Sequence, residues 1–165
     1  MGCMKVSKTE EHGLRLVMTL AKEAKQMTIS SLAQREGLSE ALIAKLLGIL
    51  RKGGIVKAER GRKGGYELAR PPEEISLAQV IRALGPALFR GCLEIGKKKP
   101  FANDCAHVEN CGLRPVWGII EEKITHMLDQ VSLEELIQDE ARVARRVLEI
   151  WPHPQGAAVD APSED

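Results

Sequence analysis

Three of the four cysteines in this 165-residue chain share one stretch. Cys92, Cys105 and Cys111 have the spacing C-x12-C-x5-C, with His107 between the last two. Thiolates are soft donors that suit iron–sulfur clusters and zinc, and an irregular loop can bring three of them together. The spacing matches no ferredoxin pattern and lacks the CxxC knuckle common at structural zinc sites. Three readings therefore stand side by side: a cluster, a zinc site completed by His107, and thiols that are buried or incidental. Cys3 stands apart near the N-terminus and has no role in any of them. No signal peptide and no apolar run of ~20 residues is visible, so the expectation is a cytoplasmic chain with no membrane contact. In that reducing compartment metal or redox chemistry is expected in place of a disulfide framework.

A second group of residues could meet phosphate and bases. Arg60, Arg62 and Lys63 sit among Gly61, Gly64 and Gly65, where glycine lets the backbone come close to a phosphate and arginine suits a narrow minor groove. Upstream, Ser39, Glu40, Ala41, Ala44 and Lys45 are the non-core positions at the start of an apolar-striped segment. Two alanines there can touch thymine methyls but donate no hydrogen bond. Net charge is only +1, yet residues 1–70 carry 14 Lys/Arg against 7 Asp/Glu, and the remainder 10 against 16. A basic half beside an acidic half is the layout expected when one half faces nucleic acid, and a solvated basic face would look similar.

The elements that must position these groups follow from periodicity and caps. Leu14, Val17, Met18 and Ala21 predict a first helix over Met4 to Lys25. Thr28 or Ser30 can cap a short helix from Ser31 to Arg35, ended by Gly37. Ser39 caps a third helix with Leu42, Ile43, Leu46, Leu47 and Leu50 on its apolar face, stopped by Gly53-Gly54. Residues 55–59, a glycine turn and residues 66–68 predict a hairpin. Ser76 then caps a helix carrying Leu77, Val80, Ile81 and Leu84. Residues 87–111 show no sustained period, and loops of that length in compact domains usually serve a function. Leu113, Val116, Ile120, Ile124, Met127 and Val131 predict a helix of about five turns. Ser132 caps a last helix expected to run to Trp151.

The fold class implied is mostly α with a small β-hairpin wing: a winged helix-turn-helix domain followed by long C-terminal dimerisation helices. Residues 1–85 form the DNA-binding domain, 86–112 the cysteine loop, 113–151 the dimerisation helices, and 152–165 a disordered tail rich in proline and alanine. In a helix-turn-helix the second helix enters the major groove by its N-terminal residues. The stripe on residues 113–131 is too long for one small domain to cover and suits a symmetry mate. No nucleophile–base constellation and no phosphate-binding glycine loop is present, so an enzyme is not expected.

Ile29-Ser30-Ser31-Leu32-Ala33, Leu50-Arg51-Lys52-Gly53-Gly54-Ile55-Val56 and Arg60-Gly61-Arg62-Lys63-Gly64-Gly65-Tyr66-Glu67-Leu68 carry a resemblance, as do Met4-Lys5-Val6-Ser7 and Ile75-Ser76-Leu77. The chain resembles the Rrf-two family of bacterial winged-helix transcription regulators (IscR- and NsrR-like) over about residues 4–150. The resemblance implies a homodimer on a near-palindromic double-stranded DNA operator, with Arg60 reaching the DNA. It also implies an iron–sulfur cluster on Cys92, Cys105 and Cys111, with Glu11 of the partner copy as fourth ligand and His107 as the alternative. The chain departs from the family pattern in three places. Ala41 and Ala44 stand where a cluster-assembly regulator uses polar residues, the first cysteine gap is long, and Arg15 stands where one member places a ligating histidine. The function expected is a repressor sensing redox, nitric oxide or cluster status. The alternative is a cluster-free relative switched by thiol oxidation, structural zinc or a partner enzyme.

Overall fold

A computed structural model describes residues 7–59, 61, 64–85 and 111–151. Helix α1 spans Lys8–Glu23, α2 Ile29–Glu36 and α3 Glu40–Lys52. Strands β1 (Val56–Glu59) and β2 (Gly65–Leu68) form the hairpin, and a 3-10 turn at Pro72–Glu74 leads to α4, Leu77–Leu84. After the cysteine loop come α5 (Leu113–Asp129), α6 (Leu133–Leu136) and α7 (Glu140–Ile150). The fold is the expected one, mostly helical with a two-stranded antiparallel wing.

Polar caps set the helix starts. Ser7 and Glu10 form a reciprocal capping box, so α1 begins at Lys8 and not at Met4. Thr28, not Ser30, caps α2, while Ser39 and Ser76 cap α3 and α4 as expected. The predicted single helix from Ser132 to Trp151 is broken. Ser132 caps only the four-residue α6, and Asp139 accepts from the Arg142 N–H to start α7 afresh.

The core lies between α1, α3 and α4 and beneath the wing, with Leu16, Leu32, Ile43, Leu47, Leu50 and Ile75 fully buried. On α1 the buried face is Leu16, Val17, Leu20 and Ala21 with Gly13, one step round from the expected stripe; Leu14 and Met18 are only half-buried. Val131 does not belong to α5. It lies past the helix end and is buried, and Leu133 behind it joins the same core as Leu16 and Leu47.

Two main-chain bonds stitch this return to α4: Leu77 N–H donates to Val131 O at 2.8 Å and Leu133 N–H to Ile75 O at 2.9 Å. Glu135 braces the junction. Burial pushes its carboxyl up, but the Ser132 N–H, Arg146 and the Ser132 hydroxyl together outweigh that and hold it below its ordinary value. A carboxylate favoured this way adds stability above the unfolded glutamate pKa of about 4.3, and that stability is lost as pH falls through the lowered folded value. Acid titration followed by Trp151 fluorescence should therefore report loosening of α7 as pH falls below the ordinary glutamate range, and Glu135→Gln should remove that step.

Candidate nucleic-acid interface and cysteine loop

α2 and α3 meet through a short turn. Gly37 caps α2 in the left-handed region at φ 66°, where only glycine is unstrained, and Leu38 N–H returns to Ala33 O at 3.1 Å. Glu36, the last residue of α2, pins this turn to α1. Arg15 Nη2 donates to Glu36 O at 3.2 Å and pairs with its carboxylate at 3.1 Å, and the Thr19 hydroxyl donates to the same carboxylate. The Glu36 side chain is 6% exposed, so its charge depends on these partners. Sequence reasoning missed this residue, because a pairing between helices has no local signature. Glu23 plays a similar part on the other side of α1. The ammonium of Lys25 and the charge of Arg35 hold its carboxyl below the ordinary value.

The pinned turn presents the start of α3. Ile43, Leu46, Leu47 and Leu50 face the core, and Ser39, Glu40, Ala41, Ala44 and Lys45 are all exposed, as the periodicity implied. The Ser39 hydroxyl accepts from Leu42 N–H, which holds the helix start in place. Lys45, Arg51 and Lys52 are exposed and make no ion pair with any described residue. These cations are free for phosphate.

The wing is anchored at its base. Its register pairs Val56 with Leu68 and Glu59 with Gly65. Tyr66 and Met27 exchange two main-chain hydrogen bonds at 2.8 and 3.0 Å, fastening the hairpin to the segment before α2. Lys57 and Glu67 sit opposite each other at 2.8 Å, and the Glu67 carboxylate raises the Lys57 ammonium above its ordinary value. Arg70 donates to Gln79 of α4 at 2.8 Å and to Glu74 O at 3.1 Å, tying the returning strand to the body. The tip residues Arg60, Arg62 and Lys63 lie outside the described residues.

Of the cysteine site, Cys92, Cys105 and His107 also lie outside the described residues. Cys111 is half-buried, one residue before the Gly112 cap of α5. Among the described residues no group of three or more His, Cys, Asp or Glu is assembled to hold a metal. The donor chemistry near the start of α1 can nevertheless be compared side chain by side chain. Glu10 is committed to the Ser7 capping box and Arg15 to Glu36, whereas Glu11 is exposed and bonded to no described side chain. An exposed carboxylate there has the donor chemistry of an oxygen ligand. His12 is half-buried with its Nδ1 enclosed and without a hydrogen-bond partner.

Known proteins share this arrangement. The family model Rrf2, described as an iron-dependent transcriptional regulator, matches residues 6–139. Protein rrf2 of Nitratidesulfovibrio vulgaris is 28% identical over 152 residues, spanning 91% of this chain and 98% of that one. The solved structure of T. potens IscR superposes with a TM-score of 0.58 at 29% identity, covering 92% of this chain and 93% of that one. An oxidized form of Staphylococcus aureus CymR gives 0.59 at 28% identity, covering 82% and 97%. Among the described residues no helix is long and apolar enough to cross a membrane. An exposed recognition helix, an anchored wing and a family match over most of the chain lead to one conclusion: this chain belongs to the Rrf2 family of transcriptional regulators, DNA-binding helix-turn-helix proteins and not enzymes.

Proposed function

We propose that the chain is a homodimeric repressor whose operator affinity is set by an iron–sulfur cluster bound through Cys92, Cys105, Cys111 and Glu11 of the partner copy, with His107 as the alternative fourth donor. The observation that carries the regulatory reading is the exposed face of α3, with Lys45, Arg51 and Lys52 free, in a chain the Rrf2 model matches over residues 6–139. Ser39, Glu40, Ala41, Ala44 and Lys45 meet base edges and adjacent phosphates, and Arg60, Arg62 and Lys63 follow the backbone into the neighbouring minor groove.

The exposed apolar residues of α5 support the dimer. Leu113, Val116 and Ile119 recur every three residues and are 60%, 47% and 57% exposed, and no residue of α5 is fully buried in a single copy. A second copy packed on this face sets the two recognition helices about 34 Å apart, one helical turn of DNA. Cys111 leads directly into α5, so the state of the cysteine loop bears on the dimer helix. When bound, the cluster supplies a redox- and nitric-oxide-reactive centre, and a carboxylate ligand such as Glu11 leaves one iron open to exchange.

The test is the visible spectrum of anaerobically purified protein with iron and sulfide assays, beside Cys105→Ala and Cys111→Ala. Near-stoichiometric iron and sulfide, lost in both variants, is expected. A second reading is a thiol switch without a cluster, favoured by the likeness to an oxidized CymR structure. A colourless protein that binds DNA fully until its thiols are alkylated would replace the cluster with that switch.

A further inference from the structure

The last residue of α5 is tied to α4 by side chains as well as by main chain. Asp129 Oδ1 accepts from the Ser76 hydroxyl at 2.7 Å. Arg82 Nη2 donates to both Asp129 oxygens, at 3.1 and 3.0 Å. Ser76 and Arg82 stand six residues apart, roughly 9 Å along the helix. The main-chain bonds at Leu77 and Leu133 fasten the chain just after α5 to the start of α4. The Ser76 and Arg82 attachments converge on the one Asp129 carboxylate and hold the end of α5 against α4. α4 in turn packs on α1 and α3, the body that carries the recognition helix. At its other end α5 begins beside Cys111 and exposes Leu113. The helix is thus latched to the DNA-binding body at its C-terminal end, while Leu113, Val116 and Ile119 stay exposed.

We infer that Asp129, with Arg82 and Ser76, is a positioning residue for operator binding: it fixes the angle between α5 and the recognition body, and so the spacing of the two recognition helices. The inference rests on the dimer described above. The latch acts through the placement of α5, so it governs how two half-sites are read together and not how one is read alone. Its ion pair is 60% and 40% exposed, which makes it a latch that salt can loosen, while the buried Val131, Leu133 and Ile75 beneath it keep the hinge assembled.

The experiment uses duplexes selected by the native chain from a random pool, each prepared with both half-sites and with one. Asp129→Asn and Arg82→Gln should each weaken binding to the two-site duplex roughly tenfold and change one-site binding by less than about twofold. The exchanged pair Arg82→Asp with Asp129→Arg should recover most of the loss, which a general packing defect would not. Amide exchange at Leu77 and Leu133 reports whether the main-chain stitch survives in each variant. Equal loss on both duplexes, or native binding by both variants, overturns the latch. If sedimentation finds the native chain monomeric and binding two sites no better than one, the dimer reading fails and the latch falls with it; a dimeric native chain with unaffected variants sinks the latch alone.

Discussion

Replacing Gly65 by valine should lower the melting temperature by roughly 6–20 °C and abolish tight DNA binding in the same variant. A Cβ at this position would lie 2.7 Å from Met27 O and 3.0 Å from Met27 C, and both are backbone atoms that cannot turn aside as a side-chain end can. Relief requires the hairpin to lift from the segment before α2, at the cost of the two Met27–Tyr66 hydrogen bonds at about 1 kcal/mol each. Overpacking adds a further 1–3 kcal/mol, for a total of about 3–5 kcal/mol. Lifting the base swings the tip away from the groove, so affinity falls even where the protein remains folded. Calorimetry beside a gel-shift titration checks both effects, and a variant that melts like the native chain would mean the wing is not seated on Met27.

α3 should separate stability from binding within one turn. Leu47 is fully buried, and Leu47→Ala should cost about 2–5 kcal/mol through lost transfer energy and the cavity left behind. Ala44, three residues earlier, is exposed, and Ala44→Glu should leave stability within about 0.5 kcal/mol. The same substitution places a negative charge and four extra heavy atoms against the groove floor and its phosphates. It should weaken DNA binding by roughly a hundredfold, near 3 kcal/mol, the upper range for one base-reading position. Chemical denaturation and fluorescence anisotropy on the same samples give the two numbers. Ala44→Glu binding as tightly as the native chain would move the interface off this helix face.

Much of this was legible because the signals are local. Ser39 and Ser76 announced their helices, Gly53-Gly54 and the glycines of the wing announced the hairpin, and the period of α3 separated Leu47 from Ala44. Less legible was which side of a helix is covered when neighbours approach from two directions. α1 meets α3, α4, the wing and α6, and its buried face settled on Leu16 and Leu20. The capping box was written in Ser7 and Glu10, but the apolar stripe from Leu14 to Ala21 does not mark where the helix starts. The break at Asp139 was hidden because a helix-compatible sequence surrounds it, although the chain turns at residues 137–139 and Asp139 is extended before it caps α7. Glu36, Met27 and Asp129 were invisible for another reason. Each acts through a partner far away in sequence, and single residues carry no trace of such pairings.

Leu133 is fully buried in a core otherwise built from residues before Gly85, and it arrives from beyond both the cysteine loop and α5. A chimera that joined residues 1–85 to a foreign sensing module would leave Ile75 without its lid and open a hole where a leucine had stood. The reader of DNA and the segments downstream are thus not interchangeable parts. Any exchange between such regulators that preserves folding must carry the returning Val131–Leu133 segment along with the helix-turn-helix it closes.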